Sequence, residues 1–382
     1  MYKLDCEKLN NLKIPHYKWS ENIALDKINA YINGNDLTKV ERDFYMFFCS
    51  NNELNDNFKK VILGEPKELR RLIKTLHQEH KEYCSILAMP SKCKEINKFD
   101  SYRDRKFDSY RDGNGKLVIF GNVFDELNDF KLYAKKVDKR LRKVFNYKAF
   151  ISKKNIESNL SNVNSKNWCG YQLAYHLGSR VCVYCNRNYT NTLRIDNMGK
   201  VRPQLDHFYP KSKYPYLAIS IYNLIPSCST CNTSLKIDTD MLDDNYEDLY
   251  LNPYEKMISD KIKLKISLSS GDNIRQHYSK ISSTRLDVKF DGVRTGSPTA
   301  NSIELFKLED IYKLHKEEFM DILELVNSFS NRSFQEIESI IGIDGETRTK
   351  MRHELINSLK PLRPKDRALG KAMIDLLNTL DA

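Results

Sequence analysis

Two Cys-x-x-Cys pairs constrain this chain more than any other feature. Cys182 and Cys185 form the first pair, and Cys228 and Cys231 form the second, about forty residues later. Zinc binds four thiolates in tetrahedral geometry, and each Cys-x-x-Cys turn supplies two ligands from one stretch of backbone. Because all four positions are cysteine, no coordination place stays open for a substrate. The two pairs therefore predict a structural zinc site.

The number and spacing of the cysteines favour the reducing cytoplasm over an oxidising compartment. Nine cysteines in all, with no regular spacing outside the two pairs, do not fit a disulfide scaffold. We expect the other five to be ordinary core or boundary residues. They are Cys6, Cys49, Cys84, Cys93 and Cys169.

Charge and hydrophobicity limit the class of partner. The net charge of +11 and a pI near 9.0 favour a polyanionic partner, nucleic acid before membrane. A hydrophobic fraction of 40% and 22 tyrosines argue against disorder. No apolar run approaches the length of a membrane span, and the first residues carry charges where a signal peptide needs an apolar stretch. We expect a cytoplasmic protein that does not enter a membrane.

The pattern divides the chain into three regions of an α+β protein. Residues 1–150 are mainly helical, with one helix that begins at Glu65-Pro66. Residues 151–255 contain the cysteine pairs. Residues 256–382 begin with strands at 262–268 and 286–290. Beyond Asn301 the pattern is helical to the end, with one apolar face: Leu305, Leu308, Ile311, Leu314 and Phe319. A tandem octapeptide at 98–113 is too short for a solenoid, and we expect a loop there.

A strongly amphipathic helix is predicted from Leu127 to Phe145. One face is apolar: Leu127, Phe130, Ala134, Val137, Leu141 and Val144. The other is basic, interrupted only by Asp138: Lys131, Lys135, Lys136, Lys139, Arg140, Arg142 and Lys143. Two interpretations of the basic face stay open, a solvated surface and a surface that contacts phosphates.

Between the cysteine pairs the sequence predicts two strands and a helix. Strands at 190–195 and 201–205 flank a turn at 196–199, and the second strand leads into Asp206 and His207. Asn223 precedes the second pair. A helix is expected to open at Cys231, so that Asn232 faces back toward His207. A structural zinc clip alone does not need this Asp-His pair or the two asparagines.

This combination resembles the HNH endonucleases, the ββα-metal or His-Me finger group, in their four-cysteine variety. The resemblance rests on Asp206-His207, on Asn223, and on Asn232 within Cys-x-x-Cys-Asn-x-x-x-Lys, and it covers about 55 of the 382 residues. Asn232 stands where many members carry histidine, and active members with asparagine occur. The resemblance implies a ββα-metal finger with a four-cysteine zinc site, embedded between the helical N-terminal region and the strand-then-helix C-terminal region. Residues 151–255 would form the nuclease domain.

The resemblance also implies a chemistry for these residues. His207 is the expected general base, and Asp206 and Asn232 are expected to hold one catalytic divalent cation, Mg²⁺ or Mn²⁺. Asn223 is expected to brace the loop that carries His207. Basic residues around the site are expected to contact nucleic acid, most simply DNA. They are Arg187, Arg202, Lys211, Lys213 and Lys236.

The runs around His207 are also similar to HNH effectors of bacterial anti-phage systems, of the Septu and retron-associated types. Members of those systems work beside an ATPase partner. That similarity implies a defence nuclease that a protein partner restrains or guides.

Two other interpretations remain open. In the first, the chain is a zinc-ribbon module that binds nucleic acid or a protein without cutting. In the second, it is a helical interaction protein whose fold the zinc ion only stabilises. A pure binder does not need Asp206, His207 and Asn232 together. The excess of basic residues near the site argues against a purely structural protein.

Overall fold

The fold mixes helices with small antiparallel sheets, as expected for an α+β protein. The structure is a computed structural model that describes residues 1–87, 109–119, 122–125, 127–152, 160–195, 199–268, 286–328, 340 and 344–381. Most of the octapeptide repeat (98–108) and of the turn at 196–199 lies outside these residues. No described helix combines the length and the apolar character that crossing a membrane requires.

Most of the regular structure in the N-terminal region is helical. The helices are α1 (Glu7–Asn10), α2 (Lys13–Asn33), α3 (Lys39–Met46), α4 (Asp56–Leu63), α5 (Pro66–Glu79), α6 (Lys81–Leu87), α7 (Leu127–Val144) and α8 (Tyr147–Phe150). Short strands accompany them: β1 (Cys49–Ser50) with β2 (Glu53–Leu54), and β3 (Ser109–Arg111), β4 (Leu117–Ile119) and β5 (Asn122–Phe124).

Helix α5 begins where the sequence predicts. Pro66 occupies the first turn, where its missing N–H costs nothing. Glu65 and Glu68 cap this end reciprocally, so two backbone N–H groups that lack helical partners are satisfied.

Helix α7 confirms the apolar face but corrects the basic one. Phe130, Val137 and Leu141 are fully or almost fully buried. Lys131 and Arg140, predicted on the basic face, are buried as well. Arg140 lies between α7 and α3, where it donates a 2.8 Å hydrogen bond to Glu41. Periodicity could not reveal this ion pair, because its acidic partner is about a hundred residues away.

The central and C-terminal regions consist of short elements. They are α9 (Gly170–Leu177), β6 (Leu193–Ile195), β7 (Gly199–Val201), β8 (Gln204–His207), β9 (Leu224–Ser227), β10 (Lys263–Leu268), β11 (Leu286–Asp291), α10 (Pro298–Leu305), α11 (Leu308–Lys313), α12 (Lys316–Ser328), α13 (Gly345–Leu359) and α14 (Gly370–Asp381). Strand β6 pairs with β7, β8 with β9, and β10 with β11, all antiparallel. A π-helical segment, Thr230–Lys236, follows β9.

Two sequence predictions differ from the structure. The strand expected at 201–205 is divided into β7 and β8 around Pro203, which has no N–H to donate to a sheet. The single apolar helical face expected beyond residue 301 is divided among α10, α11 and α12. Leu314, expected on that face, lies between two helices and is 70% exposed.

The core is continuous across the three predicted regions. Phe44, Tyr184 and Phe306 each come from a different region and belong to one buried cluster. The rings of Tyr184 and Phe306 stack with centroids 4.3 Å apart. The division of the chain at 150 and 255 stays a prediction about sequence organisation.

Candidate active site and metal centre

The four predicted cysteines form one cluster. Their sulfur atoms all lie within 4.8 Å of one another, and all four residues are buried. Cys185 Sγ and Cys228 Sγ are 4.0 Å apart. Two sulfurs bonded to one tetrahedral zinc ion at about 2.3 Å lie about 3.8 Å apart, so this spacing fits zinc. The cluster is a possible four-thiolate metal site with no place for a substrate.

Backbone contacts hold the cluster in shape. The N–H of Cys228 points at Cys182 Sγ, 3.3 Å away, as is usual for a metal-bound thiolate. Asn186 follows the first pair at φ 49°, a conformation that asparagine tolerates better than most residues. The C-terminal region contributes the Tyr312 hydroxyl, which donates to the carbonyl oxygen of Cys185 (2.8 Å).

Strands β8 and β9 position the predicted Asp-His pair. His207 faces Leu224 and Asp206 faces Ile225 in the antiparallel register. Strand β9 is buried throughout and leads directly into Cys228. Strand β9 therefore connects the cysteine cluster to its partner strand β8, which carries Asp206 and His207.

His207 is almost fully buried in a fixed tautomer. Its Nε2 lies 2.9 Å from the carbonyl oxygen of Ala218. A carbonyl oxygen only accepts, so Nε2 carries the proton and Nδ1 keeps its lone pair. Burial, together with the positive charge of Lys211, lowers the pKa of His207 to about 3, so the ring is neutral at pH 7. A neutral imidazole with a free Nδ1 can accept a proton, although the lowered pKa makes it a weaker base than an exposed histidine.

Asp206 is buried and already engaged on both oxygens. The Tyr184 hydroxyl donates to Oδ2 (2.6 Å), and Lys236 Nζ donates to Oδ1 (3.2 Å). Lys236 also donates to the carbonyl oxygen of His207 (2.7 Å). Lys236, predicted to contact nucleic acid, is instead a fully buried residue that connects the π-helical segment to β8.

Asn223 is fully buried and hydrogen-bonds to the loop that follows His207. Its Oδ1 accepts from the Tyr209 N–H (2.7 Å), and its Nδ2 donates to the carbonyl oxygens of Tyr209 (3.0 Å) and Leu217 (3.1 Å). These bonds tie together the two ends of the loop after His207. Asn223 contacts the backbone and does not line the cleft described next.

Asp206, His207 and Asn232 line one open cleft of about 250 Å³. Asn232 projects from the π-helical segment, and its Nδ2 donates to Gln204 Oε1 (2.8 Å). That bond fixes the amide orientation and leaves Oδ1 as the atom that can accept or ligate. The structure thus brings together three of the four residues predicted to be catalytic.

Only part of the predicted basic set reaches this cleft. Arg202 and Lys211 line it. Arg187 does not; its Nε donates to His315 Nε2 (2.7 Å). Lys213 is paired with Asp240 (3.0 Å) and also lies outside the lining. Sequence proximity grouped these residues, but the backbone directs their side chains to different surfaces.

Sequence reasoning missed three polar neighbours of the site. Tyr147 from α8 lies edge-on to the His207 ring, with centroids 4.5 Å apart. Its hydroxyl donates to the carbonyl oxygen of Leu205 (3.1 Å), and Lys211 Nζ lies 4.8 Å from its ring centroid. Tyr184 and Gln204 hold Asp206 and Asn232. Of the three, only Tyr184 could have been suspected from the sequence, because it lies inside the first Cys-x-x-Cys pair.

The chemistry of the cleft fits a hard divalent cation. A carboxylate has about four lone-pair positions, so Asp206 can accept two hydrogen bonds and still offer an oxygen. The amide oxygen of Asn232 is a second hard donor of the kind Mg²⁺ accepts. The ammonium group of Lys236 reduces the negative charge at Asp206, which weakens any cation bound there.

Comparison with known proteins gives one partial relationship. A stretch of 56 residues is 38% identical to the Septu protein PtuB of Bacillus thuringiensis. The match covers 15% of this chain and 19% of that protein, so the chain spans about a fifth of the length of this relative. No protein-family model and no solved structure matches the chain. The chain is therefore a partial relative of a Septu protein. It also contains a possible four-cysteine metal site.

Proposed function

We propose that this chain is a metal-dependent HNH-type endonuclease that hydrolyses phosphodiester bonds in nucleic acid, most simply DNA. In this proposal zinc in the cysteine cluster is structural. His207 is the general base, Asp206 and Asn232 hold one Mg²⁺ or Mn²⁺ ion, and Asn223 positions His207.

The observation that carries the proposal is the state of His207. Its Nε2–H is committed to Ala218, so Nδ1 is the nitrogen free to take a proton from an attacking water. The same cleft contains two hard oxygen donors, Asp206 and Asn232. A base beside a divalent-cation site is the arrangement that phosphodiester hydrolysis needs.

Each residue then has a definite task. His207 Nδ1 accepts the proton of water, and Tyr147 limits rotation of the imidazole through its edge-on contact. Arg202 and Lys211 attract and orient the phosphate. A divalent cation held by Asp206 and Asn232 would supply charge neutralisation at the phosphate and would stabilise the departing 3′ oxygen.

The test is a cleavage panel on the purified, zinc-loaded chain. Supercoiled plasmid, single-stranded DNA and RNA are incubated with Mg²⁺, Mn²⁺ or EDTA. We expect cleavage of at least one substrate with either cation and none with EDTA. Cleavage that persists in EDTA contradicts the proposal, and so does binding without any cleavage when the products of the neighbouring genes are also present.

The second candidate is a zinc-ribbon module that binds nucleic acid without cutting. One observation favours it: both oxygens of Asp206 already have hydrogen-bond donors, Tyr184 and Lys236. Lys236→Met separates the candidates if the variant still folds, because it removes the competing ammonium. A nuclease should then bind its divalent cation more tightly, whereas a binding module should show no change in cation affinity.

We further propose that the chain is the effector of an anti-phage system and acts with an ATPase partner. The support is the partial match to Septu protein PtuB, together with the run of residues around His207. The test is phage plating on bacteria that carry this chain together with its genomic neighbours. Protection that His207→Ala abolishes supports the proposal, and equal plating contradicts it.

A further inference from the structure

Ile237, at the rim of the cleft, has a backbone conformation that isoleucine rarely adopts. Its φ is 52° and its ψ is −113°. Among the described residues, seven other than glycine have positive φ, and Ile237 is the only β-branched one. A β-branched side chain is strained there, because Cβ crowds the backbone.

The strain comes from a tight turn. The Thr239 N–H donates to the carbonyl oxygen of Lys236 (2.9 Å), which closes a turn with Ile237 in its second position. These dihedral angles are those of a type II′ turn, whose second position favours glycine or asparagine. Isoleucine therefore does not serve the turn itself.

The turn is fixed relative to His207. Lys236, the preceding residue, is buried and donates to Asp206 and to the carbonyl oxygen of His207. Asp238, the following residue, accepts from the Ser212 hydroxyl (3.0 Å). Ile237 is nevertheless 61% exposed and lines the cleft. A strained apolar residue is thus held rigidly in the same cleft as the proposed base, with its side chain exposed.

Charge indicates which part of a nucleotide faces Ile237. The carboxylate of Asp238 stands beside it at the rim and repels phosphate. Lys211 and Arg202 supply positive charge to the same cleft. The side chain of Ile237 offers a phosphate neither charge nor a hydrogen-bond donor, so the part of a nucleotide that suits it best is a base.

We propose that Ile237 is a substrate-contacting residue that packs against a base next to the scissile phosphate. Apolar side chains make such contacts where proteins insert between or against bases. The proposal rests on the nuclease function and names the part of the substrate that this rim recognises.

The test compares Ile237→Asn with the unchanged residue, both in the His207→Ala background so that binding is measured without cleavage. Asparagine tolerates the turn, so we expect the melting temperature to rise by about 2 °C. Loss of the apolar contact should weaken binding of a short oligonucleotide about fivefold. Stability and affinity then change in opposite senses, which a purely structural role does not produce.

Ile14→Asn is the matched control, because Ile14 is 67% exposed and lies on α2, outside the cleft lining. It should leave oligonucleotide affinity within about twofold of the parent. An abasic residue is then moved along the oligonucleotide. When the abasic residue replaces the base that Ile237 contacts, Ile237→Asn and its parent should bind the oligonucleotide with equal affinity.

Three results are decisive. Unchanged affinity in Ile237→Asn overturns the proposal, and so does a loss that persists for every abasic position. If the wild type cuts no substrate but Ile237→Asn still weakens binding as expected, the nuclease proposal fails and the base contact stands.

Discussion

At the scale of single residues, the cysteines carry the metal prediction. We expect about one zinc ion per chain in the wild type and less than about half of that in Cys228→Ser, because a three-thiolate site binds zinc more weakly. Elemental analysis of the purified proteins measures the ratio. Cys6→Ser is the control, since Cys6 is half-buried and lies outside the cluster. Equal zinc content in Cys228→Ser and the wild type would refute the assigned ligand set.

Asn223 is expected to matter for both stability and activity. Asn223→Ala leaves the N–H and carbonyl oxygen of Tyr209 without their partner in a fully buried place. The expected cost is about 2–4 kcal/mol of the free energy of unfolding, measured by urea denaturation. Cleavage should fall as well, because the loop after His207 loses its brace. Asn245→Ala, at an exposed position, should change neither quantity.

At the scale of elements, a buried histidine joins α2 to the central region. Trp168 Nε1 donates to His16 Nδ1 (2.8 Å), and His16 Nε2 donates to the carbonyl oxygen of Ile219 (2.7 Å). Burial lowers the pKa of His16 from 6.5 to about 4. The unfolded chain therefore takes up this proton first as the pH falls. The stability that neutral His16 provides is complete above pH 6.5 and is lost as the pH falls from 6.5 toward 4.

Because of His16, the free energy of unfolding of the wild type should fall steeply as the pH decreases. Between about pH 7 and pH 4.5, the wild type should lose about 2 kcal/mol more than His16→Gln, which cannot be protonated. Urea denaturation at several pH values measures this difference, and the other histidines cancel because both proteins contain them. Parallel slopes for the two proteins would show that His16 is not held neutral.

Basic residues at the end of α7 and on α8 can be tested, because their charges act on Lys211 in the cleft. Arg142 and Lys148 are exposed, and their positive charges act on Lys211 and lower its pKa, after the larger effect of burial. We expect Arg142→Gln with Lys148→Gln to weaken DNA binding and to reduce the salt slope of log K by about 1 to 2. Lys135→Gln with Lys136→Gln removes equal charge about two turns earlier on α7. If the two double variants weaken DNA binding equally, binding depends on the net charge of the protein and not on where the charges lie.

At the scale of the whole molecule, sequence predicted local features well and tertiary placement poorly. The cysteine spacing predicted the cluster, and periodicity predicted α5 and the apolar face of α7. The burial of Lys236 was not predictable, because it depends on Asp206 in another element. Tyr147 was missed for the same reason, since it meets His207 only through folding.

The role proposed for His207, the base of a nuclease, can be measured by single-turnover cleavage. Wild type, His207→Ala and His176→Ala are compared on the substrate that the wild type cuts, after equal zinc content is verified. His176 is the control because it is half-buried on α9, outside the cleft lining. We predict that His207→Ala lowers the cleavage rate about a hundredfold or more, on the order of a lost general base, with DNA affinity unchanged. Equal cleavage by His207→Ala and the wild type would show that His207 is not the base.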